Sequence, residues 1–479
     1  MPVLRGSWLP VAQVCALALM IALASALPAS ALGDGWTVQS VPLPGGAKAG
    51  ALEAVSCAAA SACTTVGWQE DSPSEVLSLA DSWSGSSWTD QSVPLPSGAK
   101  ESRLDGVSCA AANTCVAVGF WSEYSGLGAG GQPLAASWNG STWTLEGVPL
   151  PGGSEEGYLR GVSCSSASAC VAVGYYFDSA LGWLPLAESW NGSSWSSQNA
   201  FAPSGAMTNS LYGVSCTSAN ACTAVGEYEN GSEEFLPLAE SWNGSSWSSQ
   251  SVPAPSGTQQ GSSLNGIACS SGTACAAVSG YIKSAGGEPV PLAESWNGST
   301  WSLQSVSAPS GALASWLGGV SCTSATACTA VGDYNNAAGE EVPLTESWNG
   351  SSWSPESTPV PSGASTSRLT GVSCTAASVC TAVGSYQNGS FEGRLLAERG
   401  SGSGPGEEPV AKEEEHPSGG GGTGGGSSSG GGSGSTATTA QVTTAGESVA
   451  VPVVGVRQTV SPVSGTVLVR LKGSSRFVA

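Results

Sequence analysis

The chain has 479 residues, a formal net charge of -21 and a pI near 4.3, with only 10% charged residues. That acidic balance excludes nucleic acid and anionic membrane surfaces as partners, because both demand a basic footprint. Sixty-seven glycines and eighteen tryptophans beside a single histidine point to a β-rich extracellular protein, not a helical one.

At the N-terminus, Arg5 is the only charged side chain before Asp34, and the apolar run "LPVAQVCALALMIALASALP" leads to a small-x-small pattern at Ala29, Ser30 and Ala31. Residues 1–31 read as a secretory signal peptide, with an uncleaved membrane anchor as the alternative. Cys15 lies inside it, so fourteen cysteines remain, an even number in a chain bound for an oxidising space. No later stretch has the ~20 unbroken apolar residues of a membrane span.

The fourteen cysteines fall into seven pairs: Cys57/Cys63, Cys109/Cys115, Cys164/Cys170, Cys216/Cys222, Cys269/Cys275, Cys322/Cys328 and Cys374/Cys380. Successive pairs are 52 to 55 residues apart, and five residues separate the two members of each. Such a reach suits a disulfide across the end of a β-hairpin. Zinc would bring C-x2-C knuckles and histidine, so no metal or other cofactor is expected.

Strands follow from the text around each pair. "LxGVSC" precedes it and "CTAVGxY" follows; then comes "PLAESWNGSSWSSQSVPAP" (Pro237 to Pro255), whose Asn-Gly is a strong hairpin signal. Each repeat therefore contains four short strands in about 50 residues, the size of one propeller blade. Six repeats carry the full second hairpin, with Trp83/Trp88, Trp138/Trp143, Trp190/Trp195, Trp242/Trp247, Trp296/Trp301 and Trp348/Trp353 at its ends. The seventh stops after "RLLAERG", and the missing strand stands at the other end of the chain as "DGWTVQSVPLP" from Asp34. The expected fold is all-β: a seven-bladed β-propeller over residues 32–400, closed by the N-terminal strand.

The "SWNGSSW" turn resembles the Asp-box of sialidase-type propellers, one residue shorter and with Asn in place of Asp. The whole repeat, over residues 34–400, is similar to units in secreted proteins of high-GC soil bacteria. Both resemblances imply the propeller architecture. A sialidase-like site would also need clustered arginines, and Arg103, Arg160, Arg368 and Arg394 form no motif.

Side chains at one structural position in every repeat read as scaffold. The Trp pairs could be sugar-stacking platforms, but their regularity favours packing between neighbouring blades. The "NGS" triplets match the N-glycosylation pattern, and hairpin chemistry already accounts for most of them. The recurring acid of the third strand (Asp81, Glu188, Glu240, Glu294, Glu346, Glu398; Ala136 in the second repeat) reads as a solvated or cross-strand polar position.

The loops from second to third strand, and from fourth strand to the next repeat, must share one face of the ring. They differ from repeat to repeat and are rich in aromatic and acidic residues. Candidate ligand contacts are Trp68, Asp71, Trp121, Tyr124, Tyr175, Tyr176, Trp183, Tyr228, Glu229, Tyr334 and Tyr386. Unconstrained surface variation is the competing reading.

Enzymatic signals are poor. The one histidine, His416, lies in a linker, which removes His-based triads from the ring. "GSSSG" at Gly426 to Gly430 fits a nucleophile motif in letters only, within polyglycine. No catalytic residue is assigned.

Beyond Gly400, residues 401–440 are a Gly/Ser-rich spacer that cannot bury a core and is expected to be disordered. Residues 441–479 read as two or three strands with Arg457, Arg470, Lys472 and Arg476, a small or truncated β-module that resembles the opening of a FecR-like module. The sequence thus describes a secreted or cell-surface scaffold that binds a glycan or protein partner. A structural cell-envelope component and a carbohydrate-active hydrolase or lyase are the alternatives.

Overall fold

The computed structural model describes residues 35–72, 75–124, 130–258, 261–283, 287–401, 438–444, 447–453, 469–470 and 477–478. Residues 1–31, expected to be a signal peptide, together with most of the expected spacer, His416 and Gly426 to Gly430, lie outside the described residues. Among those described, every regular element is a β-strand.

The fourth repeat shows the unit. Thr208–Ser218, Ala221–Glu229, Phe235–Trp242 and Trp247–Gln250 pair in chain order, all antiparallel. The third, fifth and sixth repeats form equivalent four-stranded sheets. The first two repeats do the same and are joined into one eight-stranded sheet by a single parallel bridge, Val76 to Glu101. In the last sheet Ala364–Ala376, Val379–Asn388 and Gly393–Ser401 supply three strands, and Gly35–Gln39 supplies the fourth, with Trp36 opposite Gly400 and Val38 opposite Glu398.

Each cysteine pair is a disulfide within its own repeat, spanning the turn between first and second strands. The pairing is the one the sequence suggests, but the bonds are more than staples at a hairpin end. The second-strand members, Cys63, Cys115, Cys170, Cys222, Cys275, Cys328 and Cys380, are only 1–7% exposed and belong to the hydrophobic clusters between sheets. Their partners Cys57, Cys109, Cys164, Cys216, Cys269, Cys322 and Cys374 pack half-buried against the same clusters. Alternation is the reason: Cys222 shares a strand face with buried Ala224, and that face meets the neighbouring sheet. These fourteen residues are therefore core as well as cross-link. Seven disulfides also fit an oxidising compartment. No described helix is long and apolar enough to cross a membrane.

The core lies between sheets, not within one. Val171, Val173 and Ala187 of the third repeat pack with Leu211, Val214, Leu238 and Trp247 of the fourth. The same partition joins the last repeat to the first, through Val383, Leu395 and Ala397 against Leu52, Leu79 and Trp83. Each fully buried leucine contributes roughly 1.5–3 kcal/mol of burial. A second seam runs through the motif itself: the Ser Oγ of one "GVSC" accepts from the Cys N–H of the next repeat. Ser163 to Cys216 is 2.9 Å, and Ser373 to Cys57, last repeat to first, is 3.0 Å. Six such bonds are present among the described residues, and the Cys322 N–H has none because Ala268 stands where its serine partner would be.

Of the two readings the sequence left for the third-strand acids, solvated or cross-strand polar, the solvated one fails, while Glu188 does accept from Ser197 opposite it on the fourth strand. Asp81, Glu188, Glu240, Glu294, Glu346 and Glu398 are 0–1% exposed. Period-two alternation puts Glu240 on the same face as Leu238 and Trp242, which pack against the preceding sheet. Burial pushes their carboxyls up, to about 7 for Asp81, Glu188 and Glu240 and about 8 for the other three.

The C-terminal unit, residues 409–479, contains one four-stranded sheet. Thr438–Thr444 pairs with Glu447–Val453 on one side and Val469–Arg470 on the other, and the latter pairs with Phe477–Val478. The sequence suggests two or three strands beginning after residue 440; among the described residues there are four, and the first begins at Thr438, inside the span read as spacer.

Candidate binding cavity

The first strands of the repeats gather around a central cavity of about 600 Å³ that continues into a narrower one of about 180 Å³. The narrow part is walled by the "GVS" segments, and glycine is there because the strands approach closely. A Cβ on Gly213 would lie 2.7 Å from the Asn265 carbonyl oxygen, and one on Gly161 would lie 2.8 Å from that of Tyr212.

A β-bulge aims side chains into the wider part. In the fourth repeat Leu211 pairs with Gly226 and Gly213 with the next residue, Val225, so Tyr212 is the extra residue and turns away from the ladder. The same register shift frees Glu53, Asp105, Arg160, Gly318 and Thr370. These are the "x" of "LxGVSC", and all of them line the cavity. Glu227 and Asp333 join from the second strand, Trp316 and Arg368 from the residue before the motif leucine.

The fifth repeat departs from the pattern for a steric reason. A Cβ on Gly226 would lie 1.9 Å from the Ser210 carbonyl oxygen, so this position normally excludes any side chain. In the fifth repeat it is Ser279, and the first strand is shortened to Gly266–Ser271. Ser263 then reaches Ser279 at 3.1 Å between hydroxyl oxygens, and Ser263 and Asn265 line the cavity.

Charges in the wall shape each other. Arg160 donates to Asp105 at 2.7 Å, and the Trp68 indole N–H donates to Glu53 at 3.0 Å. Tyr212 donates its hydroxyl to Glu227 at 2.6 Å. Burial raises Glu53, with the Asp105 charge adding to it, and burial also raises Glu227. Asp333 is pushed up to about 6 by burial and by Glu341. The Asp105 carboxylate holds Arg160 above its ordinary range.

Of the sequence candidates, only Tyr175 lines the cavity, with Trp183 edge-on to it at 5.4 Å. Trp68 lies beside it, bonded to Glu53 and covered by the Arg103 guanidinium at 4.8 Å. Trp121, Tyr176, Tyr228, Tyr334 and Tyr386 share the next position along the second strand and pack against the hydrophobic clusters between sheets. Asp71 accepts from Gln69 at 3.1 Å and Glu229 from Thr208 at 3.0 Å, while Tyr124 is 63% exposed. Glu53, Asp105, Tyr212, Asn265, Trp316 and Asp333 are absent from the sequence reading, and Arg160 and Arg368, set aside there as forming no motif, meet in this wall. For Glu53, Asp105, Arg160, Tyr212 and Asn265 the signal was the one variable letter inside an otherwise constant motif; Trp316 and Arg368 stand just before it and Asp333 follows the second-strand glycine.

No family model matches the sequence, and no curated protein does. Among solved structures, the chain is similar to the Hadza microbial sialidase Hz136 (10% identity, TM-score 0.40), covering 65% of this chain and 66% of that one. It is also similar to a subtype N11 neuraminidase-like protein from a flat-faced bat virus (8%, TM-score 0.39), covering 78% of this chain and 96% of that one. A protein of unknown function from Dyadobacter fermentans (7%, TM-score 0.43) is covered over 97% of its length and 76% of this chain's.

Proposed function

We propose that residues 32–400 form a seven-bladed β-propeller closed by Gly35–Gln39, secreted after loss of residues 1–31, and that it binds a glycan or protein partner through its central cavity. The closed ring is supported by the pairing of Trp36 with Gly400 and by the Ser373–Cys57 seam. Binding is supported by one contrast above all: six repeats bulge at the same position, and there they carry Glu53, Asp105, Arg160, Tyr212, Gly318 and Thr370, no two alike. A wall kept geometrically regular and chemically irregular is what recognition of one asymmetric ligand requires. Residues 401–440 would act as a tether and 441–479 as a small β-module.

The test is a glycan array and a pull-down with the full chain and with Asn265→Trp, which fills the cavity. Capture of a partner by the wild type that Asn265→Trp abolishes supports the reading. Absence of any partner, or capture indifferent to the plug, counts against it.

A further inference from the structure

The cavity wall has two unlike halves. Over the first four repeats the large polar side chains are already bonded: Glu53 to Trp68 behind it, Arg160 to Asp105 and Tyr212 to Glu227. Over the last three repeats the neighbouring positions are small, with Ser263, Gly280, Gly318 and Ser385, which leaves room on that side. The functional groups there are Trp316, Asp333, Arg368 and Asn265. Neither the Trp316 indole N–H, the Asp333 carboxylate, the Arg368 guanidinium nor the Asn265 Nδ2 makes a hydrogen bond among the described residues. Asn265 Oδ1 accepts only a long bond, 3.4 Å from Ser263.

Trp316 is held flat. A Cβ on Gly280 would lie 2.4 Å from the indole, so that ring rests directly on the Gly280 backbone. Only glycine allows this, and the result is a backed aromatic platform beside Asp333, its partner in the strand register.

We propose that this half of the cavity binds the ring of an uncharged hexopyranose, stacked on Trp316. The inference rests on the reading of the cavity as a binding site and names its ligand class. A pyranose has hydroxyls that donate to Asp333 and accept from Arg368 and Asn265, and a C–H face that suits an indole. The cavity's volume falls within the ~300–1,000 Å³ of small-molecule sites. Charge narrows the class. The wall holds four carboxyl groups (Glu53, Asp105, Glu227, Asp333) against two guanidiniums (Arg160, Arg368), and Arg160 is already bonded to Asp105. A sugar carboxylate would meet a wall where carboxyl groups outnumber guanidiniums and only Arg368 is not bonded to an acid, so uronic and sialic acids are disfavoured.

The experiment is calorimetric titration of the full chain with methyl glycosides of glucose, galactose, mannose and N-acetylglucosamine, and with glucuronic and N-acetylneuraminic acids. At least one neutral glycoside binds, and the acids bind at least about tenfold more weakly. Trp316→Ala and the isosteric Asp333→Asn each weaken that binding about tenfold or more. Should Trp316→Ala not fold, Asp333→Asn carries the test. The proposal is overturned by no neutral binding up to ~10 mM, by preference for the acids, or by binding that survives both substitutions. If the array and pull-down still find a partner that Asn265→Trp abolishes, the ligand class alone is wrong; if they find none, the cavity reading fails with it.

Discussion

The two ends of each sheet differ in kind. At the disulfide end the repeats make nearly the same bonds: a disulfide within each of the seven, a Ser–Cys seam at six of the seven junctions, and in six repeats a cross-strand tryptophan pair such as Trp242 and Trp247, 5.6 Å apart. At the cavity end six of them share only the bulge, and the residue it presents changes from one repeat to the next. Regularity at one end thus carries the energy that irregularity at the other can do without. Changes at the disulfide end should alter stability and leave binding alone, and changes at the cavity end should do the reverse.

The largest effect is expected from the disulfides. Each closes a loop with a sequence separation of 6, worth about 2–3 kcal/mol by the chain-entropy argument. Replacing both Cys216 and Cys222 by Ala lowers unfolding stability by at least that amount in a urea titration, since Cys222 also leaves the core. Full reduction lowers it several-fold more. Neutral-glycoside affinity of the folded double variant stays unchanged.

Next comes the set of buried acids. Between about pH 4.5 and pH 8 the folded chain keeps protons on Asp81, Glu188, Glu240, Glu294, Glu346 and Glu398 that the unfolded chain has already released. Their stabilisation is complete at the acid end of that window and is lost as pH rises through 7 to 8. The melting temperature therefore falls from pH 5 to pH 8. Replacing Glu294, Glu346 and Glu398 by Gln flattens the slope. A melting temperature that climbs over this range would show that these carboxyls are stabilised as anions.

The same division explains what could be read from the sequence. Seven cysteine pairs, the Asn-Gly turns and the split fourth strand are written in constant letters, so the repeated four-stranded sheets were legible. The spacing within a pair tells which cysteines join, and it is silent on which of the two faces the neighbouring sheet. The acids were read as solvated or cross-strand polar, and the solvated half fails, although Leu238 and Trp242, two residues either side of Glu240, already marked a buried face. The cavity was missed for a different reason. A bulge is not visible in a hydrophobic pattern, and without it Tyr212 would be only the residue between Leu211 and Gly213. Aromatic residues such as Tyr228 and Tyr334 drew attention instead, and they fill the core between sheets.

A smaller effect tests the seam. Ala268→Ser supplies the hydroxyl that the Cys322 N–H lacks, and should raise stability by roughly 0.5–1.5 kcal/mol. Ser163→Ala removes the equivalent bond to Cys216 and should cost about the same, read from the denaturation midpoint.

The smallest change in stability is expected from Asp333→Asn read near pH 5, within ~0.5 kcal/mol, because there the raised carboxyl is mostly protonated and has no hydrogen-bond partner to lose. Its effect on binding should be clear and should run against the scaffold's own pH dependence. Asp333, pushed up to about 6, is a charged acceptor for sugar hydroxyls above that pH and a weaker one below it. Affinity for a neutral glycoside therefore declines as pH drops from 7 to 5, while the melting temperature rises over the same interval. Asp333→Asn should remove the first trend and leave the second intact. One substitution then separates the two ends of the sheet: if both trends vanish together, the cavity and the buried acids are a single coupled system and the division drawn between them is wrong.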